Sequence, residues 1–384
     1  MACLIRNARV FTPEDIGRAD ILIAADRILA VGPDLTAVLP DMEVIDASGL
    51  VAAPGFFDLH VHVTGGGGVS GPATRAPQVQ AAELVATGTT CVAGVLGTDV
   101  ISRSLPNLLA TIRGLQCEGL NAWMYTSNYR FPPVTLTRSV MDDLFCVPEC
   151  LGVKVALGDT FGSFPDMQSI LSLLADIRLA GTLAGKRGLL HVHLGDLVST
   201  FDLFEEIEAR GFALKEHVLP THCGRSHEIL ERACGFARAG GMIDFTTGGG
   251  CACEPAAQSV ATALAEGVDI ERITLSTDGH GAKPRFDDAG VRTGFEVIGL
   301  EGNLDTVRAL AGSHGVAISD ALSLITRNPA RHLGLAGQGV LCPGACANVC
   351  LLTQELAPVF VASRGKILMR GGEILACGAF AQKP

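Results

Sequence analysis

The stretch Pro54-Gly55-Phe56-Phe57-Asp58-Leu59-His60-Val61-His62 decides the fold prediction for the whole chain. It is an apolar run between Pro-Gly and the four glycines of residues 65–68, a pattern typical of a buried β-strand. Because side chains alternate faces along a strand, His60 and His62 point the same way. Two neutral imidazoles on one face suit zinc, although so short a pattern is equally compatible with two hydrogen-bonded core histidines. The motif therefore predicts a metal site only if further ligands occur downstream.

Composition limits the class of protein. A chain of 384 residues, 48 % of them hydrophobic, can bury a large core in two domains or in one barrel with an accessory part. The formal net charge of −11 argues against binding to nucleic acid. Residues 1–20 lack a signal-peptide pattern, and no apolar run reaches membrane-spanning length. The 13 cysteines are scattered and odd in number, as expected of free thiols. We therefore expect a cytoplasmic protein without a membrane or nucleic-acid partner.

Both ends of the chain contain short β-strand patterns separated by Pro, Asp and Gly. These predicted strands are residues 4–11, 20–25, 27–32, 43–46, 348–352, 359–362, 366–369 and 373–377. Because chain ends commonly lie close together, the pattern predicts one small β domain formed by residues 1–53 and 339–384.

The middle of the chain, residues 54–338, alternates strand and helix patterns. After the His60 strand, strands are predicted at residues 90–95, 122–125, 152–156, 189–193, 218–221, 242–246 and 273–276. Helical periodicity occurs between most of them, at residues 78–87, 104–118, 166–184 and 256–266. Eight such repeats predict the α/β class and a (β/α)8 TIM-type barrel, with its active site at the carboxyl ends of the strands. A doubly wound open sheet is the alternative, although the first βα turn lacks Gly-x-Gly-x-x-Gly.

Four predicted strands end in, or carry near their ends, side chains that can contribute to a metal site, namely Lys154, His193, His222 and Asp278. A lysine within an apolar strand is costly unless its charge is removed or paired. Lys154 is therefore either a lysine whose amine reaches solvent or one whose neutral amine CO2 has carbamylated. The carbamate would be a carboxylate able to bridge two metals. Together with the His-x-His strand, four such positions are improbable as a coincidence.

At these positions the chain resembles the amidohydrolase superfamily, as it does in residues 328–335, Asn-Pro-Ala-Arg-His-Leu-Gly-Leu. Within the superfamily it resembles the zinc-dependent isoaspartyl (β-aspartyl) dipeptidases. That closer resemblance rests on residues 65–68, residues 71–77, residues 94–99, Tyr129 with residues 131–137, and residues 222–225. It covers nearly the whole chain and implies a barrel with a small β-sandwich domain built from both termini. It also implies a homo-oligomer.

The resemblance implies two divalent ions, zinc in the family, and a water between them that is deprotonated to the attacking hydroxide. The implied ligands are His60, His62 and Asp278 for one ion, His193 and His222 for the other, and carbamylated Lys154 as the bridge. It further implies that Asp278 transfers the proton of the attacking hydroxide to the leaving amine.

The substrate site is implied in the same way. Tyr129 would help hold the developing oxyanion, and Arg225 would bind a substrate carboxylate. The backbone around Gly67 and Thr98 would line the pocket, as would Ala282, which stands where the family has serine.

Two further positions depart from the family pattern. Val69 stands where the family has the acid that receives the substrate's α-ammonium group, and Phe161 stands where it has an arginine for a carboxylate. Nearby Lys283, Arg130 and Asp159 are either replacement charges or solvated loop residues. The metal ligands are thus complete, whereas half of the substrate-recognition set is missing.

Three hypotheses follow for the activity. The first is a binuclear-metal hydrolase of the amide (isopeptide) bond in a β-aspartyl dipeptide or close relative, with restricted specificity. The second is a related amidohydrolase acting on an N-acyl amino acid or a cyclic amide, because such a substrate needs no acid to bind a free ammonium. The third is a metal-free scaffold protein on the same fold, which would be expected to lose ligands.

Overall fold

The computed structural model describes residues 2–36, 39–211, 215–249, 252–375 and 378. In chain order the strands are β1 Ala2–Phe11, β2 Asp15–Ala24, β3 Arg27–Gly32, β4 Glu43–Asp46, β5 Val51–Pro54, β6 Phe56–Val61, β7 Thr89–Gly94, β8 Asn121–Thr126, β9 Cys150–Leu157, β10 Leu189–Leu194, β11 Val218–Thr221, β12 Ile243–Thr246, β13 Ile273–Ser276, β14 Ala282–Phe286, β15 Arg292–Val297, β16 Val349–Leu352, β17 Pro358–Ser363, β18 Lys366–Arg370 and β19 Glu373–Ile374. The α-helices are α1 Ala81–Ala86, α2 Leu105–Glu118, α3 Val140–Cys146, α4 Met167–Leu183, α5 Thr200–Ala209, α6 His227–Arg238, α7 Ala256–Ala265, α8 Gly302–Ser313, α9 Ile318–Ser323 and α10 Arg327–His332.

The two ends of the chain join in one nine-stranded sheet. Its strand order is β19-β18-β17-β16-β5-β1-β2-β3, with β4 paired to β1. The two halves meet where β5 pairs antiparallel with β16, Pro54 lying opposite Val349. An apolar cluster that includes Ile5, Ile21 and Leu351 supports this sheet. The sandwich domain stays a prediction, and its residues 1, 37, 38, 376, 377 and 379–384 lie outside the described ranges.

The middle of the chain forms a curled parallel sheet in which β6 to β11 lie side by side in chain order. Next to β11 lies a parallel pair, β12 and β13, and β13 lies next to β6. Strands β6, β9 and β10 are buried along their whole length, because helices cover a parallel sheet whose other face is also packed. The mixed α/β class predicted from the sequence is confirmed.

Capping hydrogen bonds fix the first turns of several helices that follow the parallel strands. The turn from β11 to α6 consists of residues 222–226, and the hydroxyl of Ser226 accepts a hydrogen bond from the Ile229 amide (3.1 Å) to cap the helix. Such a cap contributes about 1 kcal/mol to stability. Ser104 caps α2 and Asp166 caps α4 in the same way. Pairing of β11 with β10 holds one end of the β11–α6 turn, and the capped first turn of α6 holds the other.

The hairpin of β14 and β15 was not among the predicted strands. It is largely exposed and lacks an apolar alternation, so the sequence gives little sign of it. Within the described ranges, no helix is both long enough and apolar enough to cross a membrane.

Candidate active site

Nearly all of the predicted site residues line a single cavity of about 180 Å³ at the carboxyl ends of the parallel strands. These are His60, His62, Gly67, Thr98, Tyr129, Lys154, His193, Arg225, Asp278 and Ala282, joined by Val69 and Phe161. His222 lies beside them, its ring 4.3 Å from that of His193 and 5.5 Å from that of His60 between centroids. The fold thus brings together residues that are up to 222 positions apart in the chain.

His60, His62 and Asp278 form a buried group whose candidate ligand atoms all lie within 4.8 Å of one another. The Nε2 atoms of His60 and His62 are 3.3 and 2.9 Å from Oδ1 of Asp278. That oxygen forms no hydrogen bond with the described residues. Two imidazole nitrogens and a carboxylate oxygen converging in a buried space fit a divalent ion of the zinc type.

Lys154 lies at the floor of the cavity, fully buried within β9. Its Nζ atom is 3.4 Å from Nε2 of His60, and within the sheet the residue pairs with His191 of β10. Burial lowers the pKa of Lys154 to about 7, although the carboxylates of Asp278 and Asp244 oppose the shift. The amine therefore has a substantial neutral fraction at physiological pH.

His193 lies in β10, and His222 directly follows the neighbouring strand β11. Burial lowers the pKa of His193 to about 4 against an opposing hydrogen bond to Asp159, and it lowers the pKa of His222 well below the usual value. The Nε2 atom of His222 is buried and has no hydrogen-bond partner among the described residues. Both rings are thus neutral, as a metal ligand must be.

Hydroxyl groups that the sequence analysis did not single out orient two of these rings. Nδ1 of His222 is 2.6 Å from the Thr246 hydroxyl. Nδ1 of His60 is 3.5 Å from the Thr221 hydroxyl, which itself donates a 2.6 Å hydrogen bond to Asp244. Since that hydroxyl uses its proton on Asp244, it can only accept from His60, which leaves Nε2 of His60 as the free nitrogen. Only the positions of Thr221 and Thr246 at strand ends could have indicated these contacts.

Two of the site residues have a left-handed backbone. His222 directly follows β11 with φ 66°, and Asp278 follows β13 after one residue with φ 56°. Side chains other than glycine rarely adopt this conformation, which costs on the order of 1–3 kcal/mol. Surrounding contacts maintain it, including hydrogen bonds from the Arg225 amide to the His222 carbonyl and from the Gly281 amide to the Asp278 carbonyl. Backbone strain of this kind is concentrated at functional sites in proteins.

Arg225 lies on the His193 side of the cavity. Its Nε donates a hydrogen bond to the Leu194 carbonyl (3.1 Å), and its Nη2 is 3.8 Å from Oδ2 of Asp159. Burial alone would raise the pKa of Asp159, but hydrogen bonds from His193 and from the Phe161 amide outweigh it and lower the pKa to about 2. An ionised Asp159 and the Arg225 guanidinium thus form a partly buried pair beside His193.

The departures from the family pattern lie at the mouth of the cavity. The side chains of Val69 and Phe161 are 46 % and 58 % exposed, which makes this side apolar. The charges considered as replacements have other partners. Lys283 binds Glu296 (3.0 Å) and the Gly248 carbonyl, and Arg130 binds the carbonyls of residues 161 and 162. None of Lys283, Arg130 and Asp159 is among the described residues that line the cavity.

Comparison with known proteins agrees with this geometry. The profile of the amidohydrolase family matches residues 184–375. The structure of the β-aspartyl dipeptidase from Fervidobacterium islandicum AW-1 in complex with β-Asp-Leu superposes with a TM-score of 0.88 and 36 % identity, over 97 % of this chain and 98 % of that one. Dihydropyrimidinase from Brevibacillus agri superposes with a TM-score of 0.69 over 98 % of this chain and 96 % of that one, and its 17 % identity shows a shared fold alone.

Among curated sequences, adenine deaminase of Deinococcus radiodurans is 27 % identical over 91 % of this chain. Dihydroorotase of Solibacter usitatus is 38 % identical over 24 % of it. The chain spans 58 % of the length of the first relative and 19 % of the second. Because the family profile covers half of the chain and the dipeptidase structure matches almost all of it, this chain belongs to the amidohydrolase family.

Proposed function

We propose that this protein is a binuclear-metal hydrolase that cleaves the amide bond of a small substrate bearing a carboxylate. The first candidate substrate is a β-aspartyl dipeptide or a close relative of one. The observation that carries the proposal is the meeting, at one cavity, of the six side chains expected to be metal ligands with Tyr129 and Arg225. A metal-free scaffold would have no reason to keep buried histidines, a buried lysine and the left-handed backbone of His222 and Asp278 at one cavity.

The residues present fit two divalent ions, zinc being the first choice for a set of imidazoles and carboxylates. We propose His60, His62 and Asp278 for one ion, His193 and His222 for the other, and carbamylated Lys154 between them. The carbamate forms when the neutral amine adds to CO2, making an N–C bond and releasing one proton. Such ions lower the pKa of water and polarise a substrate carbonyl.

The protein's own groups would do the remaining work. The Asp278 carboxylate takes the proton of the attacking hydroxide and passes it to the leaving amine nitrogen. The Tyr129 hydroxyl donates a hydrogen bond to the carbonyl oxygen as negative charge develops there. The Arg225 guanidinium binds the substrate carboxylate in its planar fork, and Gly67, Thr98 and Ala282 line the pocket.

The first candidate substrate follows from the Fervidobacterium enzyme, a β-aspartyl dipeptidase whose structure contains β-Asp-Leu. A specific observation favours a second candidate, an N-acyl amino acid or a cyclic amide. Among the described residues that line the cavity, Asp278 is the single carboxylate, and it belongs to the metal group. A free substrate ammonium would therefore lack a partner at Val69, which costs a few kcal/mol, or about 10²-fold in kcat/KM.

The same proposal includes the architecture. Adjacency of β11 to β12 and of β13 to β6 supports closure of the parallel strands into an eight-stranded barrel within residues 54–338. The shared terminal sheet supports a small β domain of residues 1–53 and 339–384. Free thiols at the described cysteines agree with a cytoplasmic location.

The test is a hydrolysis panel with purified, zinc-loaded protein. It should compare β-aspartyl dipeptides, beginning with β-Asp-Leu, with N-acyl amino acids and cyclic amides, and it should include metal analysis. The variant His60→Ala, which removes one ligand, is the control for metal dependence. We expect slow turnover of most β-aspartyl dipeptides and faster turnover of a restricted set or of substrates with a masked amine. Protein that binds no metal and hydrolyses no member of the panel would contradict the proposal and favour the scaffold hypothesis.

A further inference from the structure

Three side chains compete for one nitrogen of His193. Its Nε2 atom is 2.6 Å from the Tyr129 hydroxyl, 3.4 Å from Nη2 of Arg225 and 3.4 Å from Oδ2 of Asp159. An imidazole nitrogen either carries one proton and donates it or accepts one hydrogen bond through its lone pair. It therefore cannot bind all three groups well at once.

Metal binding would decide this competition. Because Nε2 faces Tyr129, Asp159 and Arg225, Nδ1 is the nitrogen of His193 that remains for an ion. A neutral imidazole that gives its Nδ1 lone pair to a metal carries its proton on Nε2. Nε2 then becomes a donor, so Arg225, which has only donors, can no longer be its partner. The acceptors that remain are the Tyr129 oxygen and the Asp159 carboxylate.

The Asp159 carboxylate is well placed to accept the Nε2–H of His193. Its Oδ1 accepts a 2.8 Å hydrogen bond from the Phe161 amide, while Oδ2 faces His193 with the Arg225 guanidinium beside it. The residue is 9 % exposed, so water competes little for its oxygens. A carboxylate is a better acceptor for an imidazole N–H than a phenol is, because the charge strengthens the hydrogen bond.

We propose that Asp159 is a positioning residue that accepts the Nε2–H of His193, directing Nδ1 to the metal and releasing the Tyr129 hydroxyl for the substrate carbonyl. This inference rests on the proposed function, since it presupposes a metal at His193 and His222. It assigns Asp159 a role toward the metal rather than the role of a replacement charge for the substrate. It also explains how the Tyr129 hydroxyl can donate a hydrogen bond to the substrate carbonyl, although it contacts His193 when no metal is bound.

The experiment compares Asp159→Asn with Asp196→Asn in full-length protein stripped of metal and titrated with zinc against a chromophoric chelator. Asn at position 159 keeps an oxygen for the Phe161 amide but turns an N–H2 donor toward the Nε2–H of His193. Asp196 also lies beside Arg225, 3.6 Å from its Nε, yet it is an exposed residue with no contact to His193 among those described. Asp159→Ala is added because the Asn amide can rotate.

We expect both substitutions of Asp159 to weaken one of the two zinc sites by about 10- to 100-fold and to leave the other within twofold. Asp196→Asn should bind both ions as the wild type does. Unchanged affinity at both sites in both Asp159 variants would overturn the inference. Loss of both sites together with a lower melting temperature of the metal-free protein would also overturn it, because the role of Asp159 would then be structural. Wild-type protein that binds no zinc would instead overturn the proposed function.

A second readout concerns Tyr129. At saturating zinc, Asp159→Asn should lower kcat with little change in KM, since the His193 proton then holds the Tyr129 oxygen. In a Tyr129→Phe background that competition is absent, so the same substitution should change kcat by less than twofold. Equal losses of kcat in both backgrounds would show that Asp159 does not act through the release of Tyr129.

Discussion

The floor and the mouth of the cavity are built differently. The floor consists of His60, His62, Lys154, His193, His222 and Asp278, which lie on parallel strands or within two residues of their ends; all are buried except the half-buried His62. The mouth consists of Val69, Phe161 and Ala282, which lie in loops or at the start of the exposed hairpin strand β14. Floor residues contact one another and buried hydroxyls, whereas Val69 and Phe161 are large apolar side chains that face solvent. We infer from this difference that the strands carry the residues of the proposed metal chemistry, whereas the loops shape the proposed substrate site.

The largest effect is expected from removing Lys154, the proposed bridging residue at the floor of the cavity. Lys154→Ala should bind neither ion tightly and should lose activity by about 10³-fold or more, because a bound metal contributes several kcal/mol to catalysis. Metal analysis and initial rates measure both effects. A small added carboxylic acid should restore part of the activity by taking the place of the carbamate. An unmodified ammonium at Lys154 in active, zinc-replete enzyme would contradict the bridging role.

The second substitution separates chemistry from binding at the floor. Asp278→Asn should lower kcat by about 10²–10⁴-fold, because the proton transfer is lost, while KM changes little. Asparagine also tolerates the left-handed backbone at this position, so the substitution adds little strain. Single-turnover rates at saturating zinc compare the chemical step of this variant with that of the wild type. Turnover close to that of the wild type, with both ions bound, would mean that another group moves the proton.

The third prediction tests the mouth. Val69→Glu should raise kcat/KM for β-Asp-Leu by about 10²-fold at most, because it supplies an acid for the α-ammonium group. Val69→Gln, of equal length and without the charge, is the matched control and should leave that value nearly unchanged. Zinc affinity should be the same in both variants. Equal efficiency of the wild type on a wide panel of β-aspartyl dipeptides would show that other residues already bind this ammonium.

The sequence was sufficient to predict the floor because parallel strands impose a simple rule. A polar residue at the end of an apolar run can be assigned to one edge of the sheet without knowledge of any loop. His193, His222 and Asp278 were identified in this way, His60 from its His-x-His strand and Lys154 as a charge within an apolar strand, and the structure brings them together.

The partners of the floor residues could not be predicted, because they depend on the angles at which strands cross. Thr221 and Thr246 are ordinary strand residues until the fold places their hydroxyls against His60 and His222. Asp159 was noticed only as a charge near Phe161, and its contact with His193 depends on the path of the β9–α4 loop. The β14–β15 hairpin is polar enough to resemble a loop. Contacts of this kind depend on the folded paths of strands and loops that lie far apart in the sequence.

The pairing of β5 with β16 has a consequence for how the protein is made. During synthesis from the N-terminus, β5 emerges long before its neighbour, so one of its edges stays unpaired while the whole parallel sheet is being produced. An unpaired, apolar edge can pair with other chains, and contacts between distant parts of a chain form slowly. We therefore expect nascent and C-terminally truncated molecules to aggregate more readily than the full-length chain.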